Sequence, residues 1–200
     1  MTFPLHSRRV RLGRFVKGMY RPAETLEIYY DECPVSPREF ADPFGKMLCF
    51  SKRYNLGDRD DGAKEMHFDS WGDVEEFVRR ERDAVVVLPL YLYDHSGVAM
   101  NTAGFLCPWD SGKIGVIYAT RTAIQEAFGC KEPLPEHLIR AKEMLIAEVK
   151  EYDDYLRGDV YRFELKDADG TVIESCGGFY GDSGIDAIVE ETGFKGVDEE

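Results

Sequence analysis

The stretch AVVVLPLYLY at residues 84–93 decides the fold. It is rich in β-branched and aromatic side chains and apolar at odd and even positions alike. That pattern predicts a strand buried on both faces, at the centre of a sheet. Pro89 interrupts it, and it is about half the length a helix needs to cross a bilayer, so it is not read as a membrane span.

Regular elements follow in both directions. Upstream, Ser70 and Asp73 form an N-terminal capping box, and Trp71, Val74, Phe77 and Val78 fall on one helical face up to Arg82. Downstream, Lys113–Thr120 reads as a second long strand, and Thr122 with Gln125 heads a short helix ending at Gly129. Pro135 opens the longest helix, in which Leu138, Ala141, Leu145, Val149, Tyr152 and Leu156 recur at spacings of three and four before Gly158. Thr25–Tyr30 and Lys46–Ser51 read as further strands, and Asp167–Gly170 supplies the turn of a hairpin between Val160–Leu165 and Thr171–Cys176. Ser183 with Asp186 is a third capping candidate, heading a last helix that stops at Gly193. Strands occur both in hairpin succession and between helices, without regular βαβ alternation. The fold class expected is α+β, a mostly antiparallel sheet of about five to seven strands with helices mainly on one face. Residues 25–193 form one domain in this reading, preceded by a basic arm (1–24) and followed by an acidic tail (194–200).

Charge narrows the partners. The chain of 200 residues has a formal charge of -13, unevenly placed: residues 1–24 hold Arg8, Arg9, Arg11, Arg14, Lys17 and Arg21 against Glu24, and the remainder carries 19 basic and 37 acidic side chains. A body so acidic repels nucleic acid and anionic lipid and attracts basic protein surfaces. Nucleic acid is therefore disfavoured for the main domain and conceivable only for the arm. Five cysteines, widely spread and without a CxxC pair, read as reduced thiols of a cytoplasmic protein, in keeping with the lack of a secretory signal.

Two polar loops carry the candidate chemistry. Asp94, His95, Ser96 and Gly97 follow the central strand, and Cys107-Pro-Trp-Asp-Ser-Gly112 precedes the next. If the loops meet, Asp94 orients His95, His95 serves as a base, and Asp110 binds a cation or a substrate hydroxyl. Cys107 or Ser96 is the nucleophile available to such a site. The same loops also read as plain turns. For binding, Tyr93, Ser96, Trp109, Ser111 and Tyr118 are the candidates, because aromatic anchors dominate many interfaces.

Other motifs fail on their chemistry. Gly181-Asp-Ser-Gly184 copies four letters around the trypsin-like nucleophile but continues Ile185-Asp186, and a helix start explains Ser183. The acidic run Asp58, Asp60, Asp61 and Gly62 lacks calcium-loop spacing. His67, His95, His137 and the cysteines are never at ligand spacing, and no Walker or Rossmann glycine loop is present, so neither metal nor cofactor is expected.

The runs Leu88-Pro-Leu-Tyr-Leu-Tyr-Asp-His-Ser-Gly97, Cys107-Pro-Trp-Asp-Ser-Gly112 and Tyr152-Asp-Asp-Tyr-Leu-Arg-Gly-Asp-Val-Tyr161 resemble a family of small proteins of bacteriophages and mobile elements. Cys49-Phe-Ser-Lys-Arg-Tyr-Asn-Leu-Gly-Asp58 and Ser175-Cys-Gly-Gly-Phe-Tyr-Gly-Asp182 extend the likeness over roughly residues 25–182. The resemblance implies a setting, the cytoplasm of a host cell, and brings no catalytic residues. It favours a non-enzymatic acidic binder of a basic host protein, one that inhibits a defence or nucleic-acid-handling complex. The competing expectation is a small hydrolase or transferase using Asp94, His95 and Asp110.

Overall fold

A computed structural model describes residues 10–11, 25–40, 42–59, 62–193 and 198–199. The basic arm and the acidic tail lie outside the described residues, apart from Val10–Arg11 and Asp198–Glu199. In chain order the elements are β1 (Val10–Arg11), β2 (Thr25–Tyr30), α1 (Pro37–Phe40), β3 (Lys46–Cys49), α2 (Trp71–Glu81), β4 (Ala84–Asp94) and β5 (Val98–Asn101). Then come β6 (Ser111–Thr120), α3 (Arg121–Phe128), α4 (Pro135–Arg157), β7 (Val160–Lys166), β8 (Val172–Tyr180), α5 (Gly181–Thr192) and β9 (Asp198–Glu199). The fold is α+β with antiparallel pairing throughout, and its seven longer strands form two sheets, not one. The chain divides into two compact units, residues 36–157 and residues 1–35 with 158–200. No described helix is long and apolar enough to cross a membrane.

Residues 36–157 hold a four-stranded sheet in the order β3-β6-β4-β5. The stretch at 84–93 is an inner strand, as its composition predicts. Alternate residues of the sheet enter two cores: Met47, Leu90, Leu92, Ile117 and Ala119 pack with Ile124, Leu145 and Val149 of α3 and α4. Leu48, Val116 and Tyr118 pack with Val74 and Val78 of α2. Helices therefore cover both faces of this sheet. β3 approaches β6 so closely that a Cβ on Gly115 would stand 2.1 Å from the Leu48 carbonyl oxygen, which only glycine avoids.

Both outer strands of this sheet are sealed by carboxylates. On β3, Met47 N–H donates to Asp58 Oδ2 at 2.8 Å, and Asp58 N–H donates to the Met47 carbonyl at 2.9 Å. On β5, Met100 N–H donates to Asp153 Oδ1 of α4 at 2.7 Å.

Residues 1–35 with 158–200 hold a three-stranded sheet, β2-β7-β8, and a short β1-β9 ladder. Its alternation is that of a half-covered sheet. Leu26, Ile28, Phe163 and Leu165 pack against Ile188 of α5, so here the helix does lie on one face. The opposite face carries Glu27, Tyr29, Arg162, Glu164 and Lys166, with Arg162 Nη1 2.7 Å from Glu164 Oε1 and its guanidinium over the Tyr29 ring.

Helix starts show where local signals were displaced. Ser70 and Asp73 make the expected reciprocal cap. In α3 the cap is Thr120, whose hydroxyl accepts from Ala123 N–H at 3.1 Å, because β6 runs directly into the helix. α5 begins at Gly181, so Ser183 sits inside the first turn and donates its hydroxyl to the Tyr180 carbonyl.

Candidate functional site

The two polar loops meet because β4 and β6 are neighbours. Tyr93 stands opposite Ser111, and Asp94 N–H donates to the Asp110 carbonyl at 2.8 Å. Beyond Asp94 the chain turns back through His95, Ser96 and Gly97 into β5, with Asp94 opposite Val98 and Ser96 in the left-handed region at φ 60°. β5 has no clear sequence signal, since Val98-Ala-Met-Asn101 is short and lacks alternation.

The loop from Thr102 to Asp110 is tied down along its length. Asn101 Oδ1 accepts from Ala103 and Gly104 N–H at 3.0 and 2.7 Å, and Asn101 Nδ2 donates to the Gly104 carbonyl. Gly104, at φ +88°, lies against the Tyr91 ring, and Phe105 packs on Tyr93 with ring centres 5.5 Å apart. At the far end Cys107 Sγ donates to Asp110 Oδ2 at 3.3 Å, and Ser111 Oγ donates to the Cys107 carbonyl. These contacts leave Leu106 104% and Trp109 93% exposed. Two large apolar side chains are thus held out in water by a loop that has somewhere else to anchor itself.

The predicted catalytic residues come together only in part. His95 Nδ1 is 3.6 Å from Asp110 Oδ2, longer than a hydrogen bond. Asp94 does not orient His95. Its carboxylate is taken by Arg53 Nη1 at 2.7 Å and by the Tyr54 hydroxyl at 2.9 Å. Burial and then the bond to Asp94 raise the Tyr54 pKa. The Cys107 thiol faces a carboxylate, whereas an activated thiol needs an imidazole against it. Ser96 is exposed at the turn, and Tyr118 is buried away from the loops, opposite Lys46 and Val87. Among the described residues no three His, Cys, Asp or Glu side chains are placed to hold a metal ion.

A second polar cluster escaped the sequence reading. Arg38, with its side chain 2% exposed, donates to both Asp58 carboxylate oxygens, to Glu148 Oε2 at 2.9 Å and to the Gly45 carbonyl at 2.7 Å. Glu148 also accepts from Phe44 and Gly45 N–H. Burial works against the Arg38 charge, but Asp58 and Glu148 outweigh it and raise its pKa. Nearby, burial pushes the Cys49 thiol up to about 12. A cleft of about 930 Å³ opens beside this cluster, with Lys46, Arg59, Arg82, Tyr118 and Tyr155 in its lining. Arg38 makes four hydrogen bonds inside its own unit, which is the mark of scaffold.

Leu106, Phe105, Arg53 and Tyr54 are site residues the sequence reading missed. The signal for Leu106 is an apolar residue in a segment bounded by Gly104 and Pro108, with Asn101 positioned to cap the loop. For Arg53 and Tyr54, about 40 residues from Asp94, no local signal exists.

No family model, no curated protein and no solved structure matches this chain.

Proposed function

We propose that this chain is a protein-binding module whose contact surface is the loop 102–110, with Leu106 and Trp109 as anchors, and whose partner presents a basic surface. The observation that carries this reading is the near-complete exposure of both side chains on a loop fixed by its own hydrogen bonds. Ordering entropy is spent on folding, not on binding, so a partner that covers the loop keeps most of the contact energy. Tryptophan is among the residues most enriched at interface hot spots. Formal charge -13 favours fast association with a cationic surface. The likeness to phage and mobile-element proteins suggests that the partner is a host protein, and inhibition of a defence or nucleic-acid-handling complex is the role it would serve in the host cytoplasm.

The test is capture from a bacterial lysate on the immobilised full chain, comparing the native sequence with the double variant Leu106→Ala, Trp109→Ala at low and high salt. A basic protein retained by the native chain, released by salt and lost from the variant is the expected result. Capture that is identical for both chains, or retention of nucleic acid in place of protein, overturns it. The second reading, a small hydrolase or transferase working through Asp94, His95 and Asp110, rests on the approach of His95 to Asp110. It requires turnover that disappears in His95→Ala, whereas the binding role leaves His95→Ala competent for capture.

A further inference from the structure

We propose that the outer edge of β8 is a docking strand for an extended, lysine- or arginine-bearing segment of a partner protein. This strand belongs to the other compact unit from the loop 102–110, and the proposal can fail while that of the loop stands. The proposal starts from a difference between sheet ends within one chain. At Met47 of β3 and Met100 of β5 an outward N–H is taken by Asp58 and Asp153. In the three-stranded sheet, β2 has β1 close by, although β1 pairs with β9 and not with β2. β8 has no strand on its outer side among the described residues, and no hydrogen bond from beyond β7 reaches the main chain of Val172–Cys176. Its sequence, VIESCGGFY, carries no lysine or proline, and what blunts this edge is the charge of Glu174 and the register shifts at its ends.

The pairing with β7 limits what can be added. Register shifts interrupt the ladder at both ends, and between them Glu174–Cys176 runs in regular register with Phe163–Leu165. Ser175 and Cys176 are exposed. An incoming strand therefore pairs over this short run, gaining main-chain hydrogen bonds in the manner of strand addition.

Charge selects the occupant. Residues 25–35 with 158–193 carry twelve acidic side chains against two basic ones, Arg162 and Lys166. Both cations are engaged on β7, Arg162 with Glu164 and Lys166 with Glu27 and Glu164. A second copy would bring the same acidic edge against Glu174, and like charges opposed across a strand pair repel. A cationic segment meets Glu174 and the acidic surroundings with opposite sign.

The experiment is amide hydrogen exchange of the full chain, free and with an acetylated octapeptide of alternating lysine and valine in excess. In the free chain, the amides of 172–176 that face away from β7 should exchange freely. The peptide should slow exchange in 172–176 by about tenfold or more, the protection that new main-chain bonds confer. A peptide of alternating glutamate and valine should not, and N-methylation of alternate amides on one edge of the lysine peptide should abolish the effect. Slow exchange of the outward amides in the free chain overturns the proposal, because the edge is then already filled. Equal protection by the glutamate peptide, no protection by either, or a dimer by sedimentation with β8 protected also overturns it. Leu106→Ala, Trp109→Ala should leave the result unchanged.

Discussion

The Arg38 cluster and the loop bearing Trp109 belong to the same compact unit and both hold several polar groups, yet one is closed and the other open. Around Arg38 every bond is spent inside the unit, tying α1, β3 and α4 together. Around the loop, most hydrogen bonds hold the main chain, and Leu106 and Trp109 are left facing water. The contrast separates two uses of polarity: one fixes a scaffold, the other presents a surface.

The largest effect that can test this contrast comes from the closed side. Arg38→Met removes a cation that is 2% exposed and leaves Asp58 and Glu148 without their partner. Breaking a buried pair in this way costs about 3–5 kcal/mol, a large part of the stability of an ordinary domain. Urea unfolding should show it, and a loss below about 1 kcal/mol would mean that the cluster is not scaffold. Next in size is the open side. Leu106→Ala, Trp109→Ala should weaken partner binding about a hundredfold, some 2.8 kcal/mol, while the unfolding midpoint stays where it was. A fall in the midpoint would mean that these side chains pack in solution.

A smaller effect concerns the seal on β5. Asp153 is buried on α4, and that burial raises its pKa against the opposing pull of Met100 N–H and Arg157. A carboxyl whose folded pKa lies above its unfolded value, roughly 4, holds its proton longer in the folded chain. Stability is then greatest below that unfolded value and falls as pH rises through the folded one. Asp153→Asn keeps an oxygen for Met100 N–H and removes the titration. It should be no less stable at neutral pH and should show a flatter profile on the acid side, measured by unfolding at a series of pH values. A variant that loses stability at neutral pH while keeping the native profile contradicts this. Smallest of all, His95→Ala should change stability by less than about 0.5 kcal/mol, since its ring is largely exposed and has no hydrogen-bond partner among the described residues. A greater loss would place His95 in the scaffold.

Much of this architecture was legible because burial leaves periodic marks. The run at 84–93, the stripe from Leu138 to Leu156 and the cap at Ser70 each encode their element within a few neighbouring residues. What remained hidden depends on partners distant in sequence. Thr25–Tyr30 pairs with Val160–Lys166, and nothing local says that these strands leave the sheet of Ala84–Asp94 to form another. Asp58 and Glu148 lie far along the chain from Arg38, so three unremarkable charges become a core cluster only through the fold. The candidate site was half legible. Both loops were recognisable from their turn residues, but which carboxylate faces His95 is set by the β4-β6 register, and that register put Asp110 there while Arg53 and Tyr54 claimed Asp94.

The central claim is that Trp109 is exposed on a loop whose main chain is held. Trp71→Phe leaves Trp109 as the one remaining tryptophan, because the chain has two. Time-resolved fluorescence anisotropy of that chain should show the emission of a water-exposed indole, with a slow component from the tumbling of the folded protein beside the fast motion of the ring. Blue-shifted emission, or the loss of the slow component, would contradict the account.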